Sequence, residues 1–532
     1  MPDRFFLATA IDYTNGAPHI GHAYEKILAD VIARYRRLRG DDVFFLTGVD
    51  QHGQKVQQSA QREGVEAQAF VDANTAKFQA LWEKLGIKYD GWAATTGDRH
   101  KRCVRGILQR FWDGGQIYKD KQGGYYSVRQ EQFLTDKERN ENGEFGPEWG
   151  EVEFREEENY YFRLAEHKEW LLELLDERRD LVVPDFRLVE LRNAIEKLSG
   201  DLCISRPKSR LNWGIELPFD PEFVTYVWFD ALVNYISFAP GNYTAAPGTD
   251  LDEFNCWWPA TIIIGKDTLI PAHGIYWLSM LHALGFGANE MPRLIVHGWW
   301  NISGAKMSKS LGNVVDPNTL AEKYGAEALR YYLMSDIATG KDADFSEDRL
   351  VERYNSDLAN GLGNLLNRAL SMLHRYREGR LHYVDRLDPS KDAPDGYRRL
   401  TDEYRAGFAS DELHIAAARA LENMLHLTSV FNAVIEVYAP WKLAKSSAVA
   451  DQETLDGVLY DCAELLRIIG ILISPVLPKA AHGIFDQLNL KAELSGKEER
   501  FSLADAEWGK LPDGHIVGKP IPLFPRIEIA TS

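Results

Sequence analysis

The fold is decided by residues 5–50, which read FFLATAIDYTNGAPHIGHAYEKILADVIARYRRLRGDDVFFLTGVD. Apolar runs occupy residues 5–11 and 43–49, and the second run leads into Asp50. Between them, apolar residues recur at spacings of three and four, as on one face of a helix: Ile20, Tyr24, Ile27, Leu28, Val31, Ile32, Tyr35 and Leu38. Strand, helix and strand in this order predict a βαβ unit, which implies a parallel sheet with a right-handed crossover.

The following part of the chain predicts that this sheet is interrupted and then resumed. Residues 118–222 are rich in turn formers and charge, whereas residues 261–264 and 294–296 again have the pattern of buried parallel strands. We therefore expect an α/β fold. A split, Rossmann-like parallel-sheet domain would occupy 1–117 and 223–325, with an inserted connective module at 118–222.

The last part of the chain has the pattern of a helix bundle. Seven apolar residues alternate steps of four and three, as in the buried seam of one bundle helix: Leu413, Ala417, Ala420, Met424, Leu427, Phe431 and Val434. We expect a connecting region at 326–354, an all-α domain at 355–515 and a tail at 516–532 that packs back on the body.

Composition and charge narrow the class of protein. The 532 residues allow three or four domains of roughly 150 residues each, and a hydrophobic content of 45% provides several cores. The net charge of −18 argues against a surface coated with polyanion-binding groups, so any contact with nucleic acid must come from local patches. No uncharged run approaches the ~20 residues of a membrane span, and no export signal is visible.

The spacing of the four cysteines indicates the redox conditions of the cellular compartment. Cys103, Cys203, Cys256 and Cys462 lie far apart and form no CxxC pair. This spacing favours neither a disulfide framework nor a cysteine zinc site. A reducing environment fits best, and we expect a cytoplasmic protein.

A pair of histidines at the start of the first helix is a candidate for chemistry. The motif Pro18-His19-Ile20-Gly21-His22 lies where the first strand has ended, and its histidines are on one helix face. The amides and dipole of a helix start favour phosphate, and imidazoles can donate to phosphate oxygens. Gly21 would let a nucleotide lie close to the backbone. The simpler alternative is an ordinary helix start with two exposed histidines.

A basic loop in the second half of the split domain is the other candidate. Lys306-Met307-Ser308-Lys309-Ser310 follows a strand-like segment and the flexible Ser303-Gly304. Two lysines beside small hydroxyl residues can close over a triphosphate and neutralise a departing pyrophosphate. A solvated basic loop is the simpler alternative. The occurrence of both motifs, in this order and on opposite halves of the domain, favours phosphate chemistry.

The two motifs resemble the signatures of class I aminoacyl-tRNA synthetases, HIGH at His19 to His22 and KMSKS at Lys306 to Ser310. Longer segments are similar to the methionyl-tRNA synthetases in particular: AIDYTNG at 10–16, YVWFDAL at 226–232, GKD at 265–267 and APW at 439–441. The resemblance covers nearly the whole chain. It implies ATP-dependent attachment of L-methionine to tRNA(Met) through methionyl-adenylate, with release of AMP and pyrophosphate.

The resemblance also implies a methionine site. Asp50 would bind the amino group, and the pocket would be lined by Ile11, Tyr13, Trp228, Ala231, Tyr235, His273 and Trp277. The residue types suit these roles, because aromatic faces contact a polarizable sulfur favourably and Asp50 follows a strand at the ligand-binding edge of such sheets. Core packing is the alternative for Trp228, Tyr235 and Trp277.

The resemblance assigns the reacting phosphates to the two motifs. ATP, with Mg²⁺, would be bound by His19, Gly21, His22, Gly265, Lys306, Met307, Ser308 and Lys309. Four of these would be catalytic, stabilising charge while the methionine carboxylate attacks the α-phosphate: His19, His22, Lys306 and Lys309. A ribose hydroxyl at the 3′ end of the tRNA would then attack the adenylate.

The resemblance further implies that the helical domain reads the anticodon, through Asn364, Arg368 and Trp441. An aromatic ring can stack on an unpaired base, while an amide and a guanidinium can bond base edges. Core packing is the alternative for Trp441. A local basic patch would be supplied by Arg368, His374, Arg375, Arg377 and Arg380.

One departure from the family concerns zinc. Many relatives carry a zinc knuckle in the inserted module, built on paired CxxC motifs, but Ser127 and Gln130 stand where the first pair is expected. We therefore expect no structural zinc and a knuckle held by packing. No appended oligonucleotide-binding module is visible, which favours a monomer. The alternatives are a class I synthetase for another amino acid and an inactive tRNA-binding paralogue.

Overall fold

The computed structural model describes residues 3–127, 132–134, 138–140, 142–241, 243, 251–302, 304–306, 314–337, 339–384, 413–490 and 501–528. Six residues that the sequence singles out lie outside these ranges: Gln130, Ser303, Met307, Ser308, Lys309 and Ser310. The backbone of Lys306 is described.

The centre of the fold is a parallel sheet built from both halves of the split domain. Its strands lie side by side in the order Gly91–Ala94, Asp42–Asp50, Arg4–Thr9, Thr261–Gly265, Arg293–His297 and Val182–Val183. A short strand, Asp12–Tyr13, continues the line of Arg4–Thr9 and pairs with the end of Asp42–Asp50. The expected α/β fold is confirmed. Because the chain leaves Arg4–Thr9 towards neighbours on both sides, the carboxyl end of this strand is a switch point, where such sheets bind ligands.

Helices cover the faces of this sheet. The helix Ile20–Arg39 starts after His19 and ends at Gly40, whose φ of 98° is left-handed and therefore suits glycine. The other helices of the first half are Gln54–Glu63, Ala67–Lys84 and Asp98–Asp113. The second half contains Val227–Leu232, Asn234–Ser237, Asp252–Trp257, Lys266–Thr268, a π-helical segment at Leu269–Trp277, and Leu278–Ala283.

The predicted insert forms two antiparallel sheets and two helices. One sheet contains Gln132–Leu134, Ile117–Ser127, Val152–Phe162 and Leu202–Cys203, and the other contains Ser205–Pro207, Asp220–Thr225 and Glu216–Leu217. The helices are Lys168–Glu177 and Asp185–Glu196. The insert also gives the strand Val182–Val183 to the edge of the central sheet, so it is joined to that sheet by backbone hydrogen bonds.

Packing holds the tip of the insert near Ser127. The guanidinium of Arg139 lies 4.8 Å from the ring centroid of Tyr125 and 4.4 Å from that of Phe145. The hydroxyl of Ser127 donates to the carbonyl of Trp149 at 2.5 Å. In the described ranges, no group of three or more His, Cys, Asp or Glu side chains could hold a metal ion. The expectation that zinc is absent stays a prediction.

The remainder of the chain is mainly helical. A small sheet combines Trp300–Ile302 with Ala305–Lys306 and Ala343–Asp344. The helical segments are Pro317–Tyr324, Ala326–Ser335, Glu347–Arg353, Tyr354–Gly363, Asn364–Arg377, Leu413–Tyr438, Pro440–Leu443, Val449–Ile473 and Pro478–Gln487. None of the helices within the described ranges has the length and apolar character needed to cross a membrane.

A buried arginine joins the sheet domain to the bundle. Arg330 is 1% exposed and forms an ion pair with Asp30, on the helix Ile20–Arg39, at 2.7 Å. It also donates to the carbonyls of Val476 at 2.8 Å, Pro475 at 3.0 Å and Leu85 at 3.3 Å. A charge buried this deeply is tolerated because its donors are bonded. The two domains also share one continuous hydrophobic core.

The end of the described chain lies on the bundle. Asn355 and Ile527 exchange two hydrogen bonds of 2.9 Å, and the amide of Val517 donates to the carbonyl of Gly379 at 2.9 Å. The side chain of Phe524 is buried. These contacts attach residues 516–528 to helices of the bundle.

Candidate active site

A cavity lies at the switch point of the central sheet. It brings together seven of the eight residues expected to contact methionine: Ile11, Tyr13, Asp50, Trp228, Ala231, Tyr235 and His273. Trp277 is not in its lining. This side chain is buried, and its ring centroid lies 5.8 Å from that of Tyr235. Seven lining residues were not predicted as site residues from the sequence: Ala10, Lys55, Tyr226, Val227, Leu232, Asn234 and Thr268.

A glycine allows one wall of the cavity to form. Gly53 has a φ of 107°, and a Cβ at this position would lie 2.7 Å from the hydroxyl of Tyr13 and 3.3 Å from Cγ2 of Val227. Any larger residue would therefore separate the start of the helix Gln54–Glu63 from these two side chains. Close approach of this backbone brings Lys55 to the cavity.

In another wall of the cavity, the side chains of Tyr235 and His273 form hydrogen bonds within the protein. Nδ1 of His273 donates to the carbonyl of Thr268 at 2.9 Å, so the hydroxyl of Tyr235 donates to Nε2 at 2.7 Å. Burial lowers the pKa of His273 to about 4, which keeps the imidazole neutral at pH 7. Burial also raises the pKa of Tyr235 well above its ordinary value. This wall therefore presents neutral rings to a ligand.

Asp50 places a carboxylate in the cavity. It ends the strand Asp42–Asp50 and is 7% exposed. Its Oδ1 accepts from the hydroxyl of Thr95 at 3.3 Å and from the amide of His52 at 3.4 Å. A carboxylate has about four acceptor sites, so Asp50 can also accept hydrogen bonds from a ligand ammonium group.

A buried network supports the segment after Asp50. Asp230 accepts from Nδ1 of His52 and from Nε2 of His100, each at 2.7 Å, and Nδ1 of His100 lies 2.8 Å from the hydroxyl of Ser237. Burial opposes ionisation of this carboxyl, but the two imidazoles hold the pKa of Asp230 at about 2. The network ties together three segments that form the cavity. Its only signal in the sequence is that Asp230 belongs to YVWFDAL at 226–232.

The two histidines of the HIGH motif cap their own helix. Nδ1 of His19 accepts from the amide of Gly21, and Nδ1 of His22 accepts from the amide of His19, both at 3.1 Å. The rings stack with centroids 3.7 Å apart. A neutral imidazole that accepts at Nδ1 carries its proton on Nε2, so each ring keeps an Nε2 donor. A Cβ at Gly21 would lie 3.0 Å from the His19 ring, so this glycine makes room for the cap itself.

The chain that follows the KMSKS motif, called the lysine loop here, lies near the start of the helix Ile20–Arg39. This helix begins within the HIGH motif and is called the HIGH helix. The amide of Ile20 donates to the carbonyl of Val315 at 3.2 Å, which brings the chain that follows the loop to the start of this helix. The strand Ala305–Lys306 lies before the loop. Gly265 ends a neighbouring strand of the central sheet, and a Cβ there would lie 2.8 Å from Oδ1 of Asp267.

A second buried network connects the HIGH helix to the central sheet. Lys26 is fully buried and donates to the carbonyl of Ala10 at 2.8 Å, to Asp12 at 2.9 Å and to Glu25 at 2.6 Å. The other oxygen of Glu25 lies 3.0 Å from Nε2 of His297. Burial raises the pKa of Asp12 to about 7. The sequence pattern did not predict this charged cluster, because its members lie among apolar residues.

The residues proposed for anticodon contact lie on the bundle. Asn364 and Arg368 are one turn apart on the helix Asn364–Arg377, and Arg368 pairs with Glu436 at 2.6 Å. Trp441 is 36% exposed and follows Ala439, whose φ of 44° is left-handed. The turn at Ala439 ends the long helix that carries Glu436.

Some side chains of the expected basic patch form hydrogen bonds or ion pairs within the bundle. Arg377 forms an ion pair with Asp456, and Arg380 donates to the carbonyl of Gly514 at 3.1 Å. Nε2 of His374 donates to the carbonyl of Gly518 at 2.8 Å. These side chains stabilise the fold, which leaves a smaller part of the patch for nucleic acid than the sequence suggests.

Comparisons with known proteins agree with this geometry. A family model described as class I tRNA synthetases (M) matches residues 5–143 and 149–370. The chain is 41% identical to the methionine–tRNA ligase of Deinococcus radiodurans over 99% of this chain and 75% of the relative. It is 38% identical to that of Thermosynechococcus vestitus over 99% and 98%, respectively. The Mycobacterium tuberculosis methionyl-tRNA synthetase in complex with methionyl-adenylate superposes with a TM-score of 0.85 at 35% identity, covering 98% of this chain and 100% of that one. The chain belongs to the methionine–tRNA ligase family of class I tRNA synthetases.

Proposed function

We propose that this chain catalyses the ATP-dependent attachment of L-methionine to tRNA(Met). The observation that carries the proposal is the cavity at the switch point, where the carboxylate of Asp50 lies among aromatic and aliphatic walls. Family membership agrees with it, and the similar M. tuberculosis enzyme binds methionyl-adenylate. ATP would enter as its Mg²⁺ complex, the metal neutralising part of the triphosphate charge.

The first step joins methionine to AMP. Asp50 binds the ammonium group, and the rings of Trp228 and Tyr235 contact the thioether. The carboxylate then attacks the α-phosphorus while pyrophosphate leaves. The Nε2 donors of His19 and His22 stabilise the charge on the phosphates, with Lys306, Lys309 and their loop completing the site.

The second step transfers the methionyl group to tRNA. The 2′- or 3′-hydroxyl of the terminal ribose attacks the carbonyl carbon of the adenylate, and AMP leaves. Asn364, Arg368 and Trp441, on the helical bundle, hold the anticodon. Recognition and reaction are therefore assigned to different domains.

A pyrophosphate exchange assay with each of the twenty amino acids tests the first step. We expect methionine to support the fastest exchange of labelled pyrophosphate into ATP. Charging of tRNA(Met) by the same protein tests the second step. Preference for another amino acid would refute the proposal, and exchange without charging would refute its second half.

We also propose that the enzyme is cytoplasmic and monomeric. The four cysteines are free thiols, as expected for a reducing compartment. Light scattering on the purified protein at micromolar concentration should give a mass near the 60.4 kDa of one chain. A dimer mass at that concentration would contradict the monomer.

Replacing Trp441 by alanine should weaken tRNA charging without affecting adenylate formation. Stacking of one base on an aromatic ring contributes about 1–3 kcal/mol, so we expect kcat/KM for tRNA to fall by about tenfold or more. Trp441→Phe keeps a stacking face and should retain most of the activity. Equal losses in charging and in tRNA-independent pyrophosphate exchange would contradict the assignment.

Replacing Asp230 by asparagine should raise the KM for methionine by about tenfold, because the segment that bears Asp50 loses one of its buried bonds. The KM for ATP should stay unchanged. Glu464→Gln is the matched control, since Glu464 is equally buried and bonded to Arg467 at 2.6 Å, but in the bundle. Both variants should have a lower melting temperature than the unchanged protein. An unchanged KM for methionine in Asp230→Asn would restrict this network to a role in stability.

A further inference from the structure

The lining of the methionine cavity contains a lysine to which the proposed function gives no role. Lys55 is half-buried and lines the same cavity as Asp50. Within the described part of the chain, its ammonium group has no hydrogen-bond or ion-pair partner. It is also the one Lys or Arg among the described lining residues. A cation beside an apolar cavity requires an anion or water as its partner.

The charges of the cavity match those of a free amino acid. Methionine at neutral pH carries one ammonium and one carboxylate group, and Asp50 accounts for the first of these. His273 cannot supply a positive charge, because burial lowers its pKa to about 4 and its Nδ1 already donates to a carbonyl. Without Lys55, the described lining would offer the carboxylate no positive charge.

The backbone that carries Lys55 is held firmly in place. Lys55 lies in the first turn of the helix Gln54–Glu63, and the amide of Gly53 donates to the carbonyl of Trp213 at 3.1 Å. The Oε1 of Gln57 accepts from the amides of Asn212 at 3.0 Å and Trp213 at 3.2 Å. The flexible part of the lysine therefore begins at a fixed point beside the cavity.

We propose that Lys55 binds the carboxylate of methionine and orients it for attack on ATP. This inference rests on the proposed function. In the reaction, one carboxylate oxygen forms a bond to the α-phosphorus, the bond from that phosphorus to the bridging oxygen breaks, and pyrophosphate leaves with the electron pair. No proton is transferred, so Lys55 stays charged. The negative charge of the carboxylate leaves with pyrophosphate, and the phosphate of the adenylate keeps the single charge that the α-phosphate had in ATP.

The test compares two ligands on two forms of the protein. L-methioninol keeps the ammonium and thioether of methionine but has a neutral alcohol in place of the carboxylate. In Lys55→Met, the Kd for methionine measured by calorimetry and its KM in pyrophosphate exchange should rise by about 10- to 100-fold, as for loss of a charged hydrogen bond. The Kd for methioninol should change by less than about twofold.

Two further variants serve as controls. Lys55→Arg keeps the positive charge and should retain most of the preference for methionine over methioninol. Lys101→Met removes a lysine that does not line the cavity and should bind both ligands as the unchanged protein does. Circular dichroism and melting temperature will confirm that each variant is folded.

Several outcomes would overturn the proposal. Unchanged methionine binding in Lys55→Met would do so, as would equal losses for methionine and methioninol. A higher KM for ATP with unchanged methionine binding would assign Lys55 to a phosphate instead, which also contradicts it. Absence of methionine-dependent exchange in the unchanged protein would refute the proposed function itself, so the two failures are distinguishable.

Discussion

Replacing His22 by asparagine is expected to slow methionyl-adenylate formation by about 10²–10³-fold while leaving the first helix capped. The amide oxygen of asparagine lies close to the position of Nδ1, so it can still accept from the amide of His19, as the imidazole does at 3.1 Å. The variant has no donor at the position of Nε2. Single-turnover formation of the adenylate measures the rate, and the melting temperature reports on the helix cap.

A matched variant separates the two functions of this imidazole. In His22→Gln, the amide nitrogen can reach the position of Nε2, so the phosphate donor returns, and glutamine at the third helix position can still accept from the amide of His19. We expect this variant to react faster than His22→Asn while melting at a similar temperature. A normal rate in His22→Asn would show that His22 acts as a helix cap alone.

Replacing Asp50 by asparagine is expected to lower kcat/KM for methionine by about a hundredfold or more. The carboxylate is 7% exposed, and loss of one partner of a buried charge pair costs about 2–5 kcal/mol. Asparagine has nearly the same size, so the cavity should keep its shape. Pyrophosphate exchange with varied methionine at saturating ATP measures the effect, and the KM for ATP should be unchanged.

The amino group of the ligand provides the control for Asp50. The unchanged protein should bind methionine much more tightly than 4-(methylthio)butanoate, which lacks the ammonium group. In Asp50→Asn, this preference should nearly disappear. If the affinities for the two ligands fell by the same factor in Asp50→Asn, Asp50 would support the shape of the cavity without contacting the amino group.

The sequence predicted the elements whose burial is periodic. The helix Ile20–Arg39 and the strand Asp42–Asp50 lie where the apolar spacing indicates. The first strand ends at Thr9, although the apolar run continues to Ile11. Ala10 and Ile11 line the cavity instead, so their apolar character suits a ligand as well as a core.

The groups that the sequence did not reveal are polar and far apart along the chain. His52 and Asp230 are separated by 178 residues, and Arg330 and Leu85 by 245. Such pairs leave no local periodicity from which they could be predicted. The strand Val182–Val183 was missed for another reason, because two apolar residues are too few to form a pattern.

Arg330 restricts the relative motion of the two domains that tRNA must contact. Its guanidinium bonds Asp30 on one domain and the carbonyls of Pro475 and Val476 on the other, all inside a shared core. These bonds restrict rotation of the helical bundle, which carries Trp441, relative to the HIGH helix. We expect the distance between the two surfaces to be the same before and after tRNA binds, so that binding costs less conformational entropy. A tRNA of the wrong shape could then not be accommodated by a rotation between the domains.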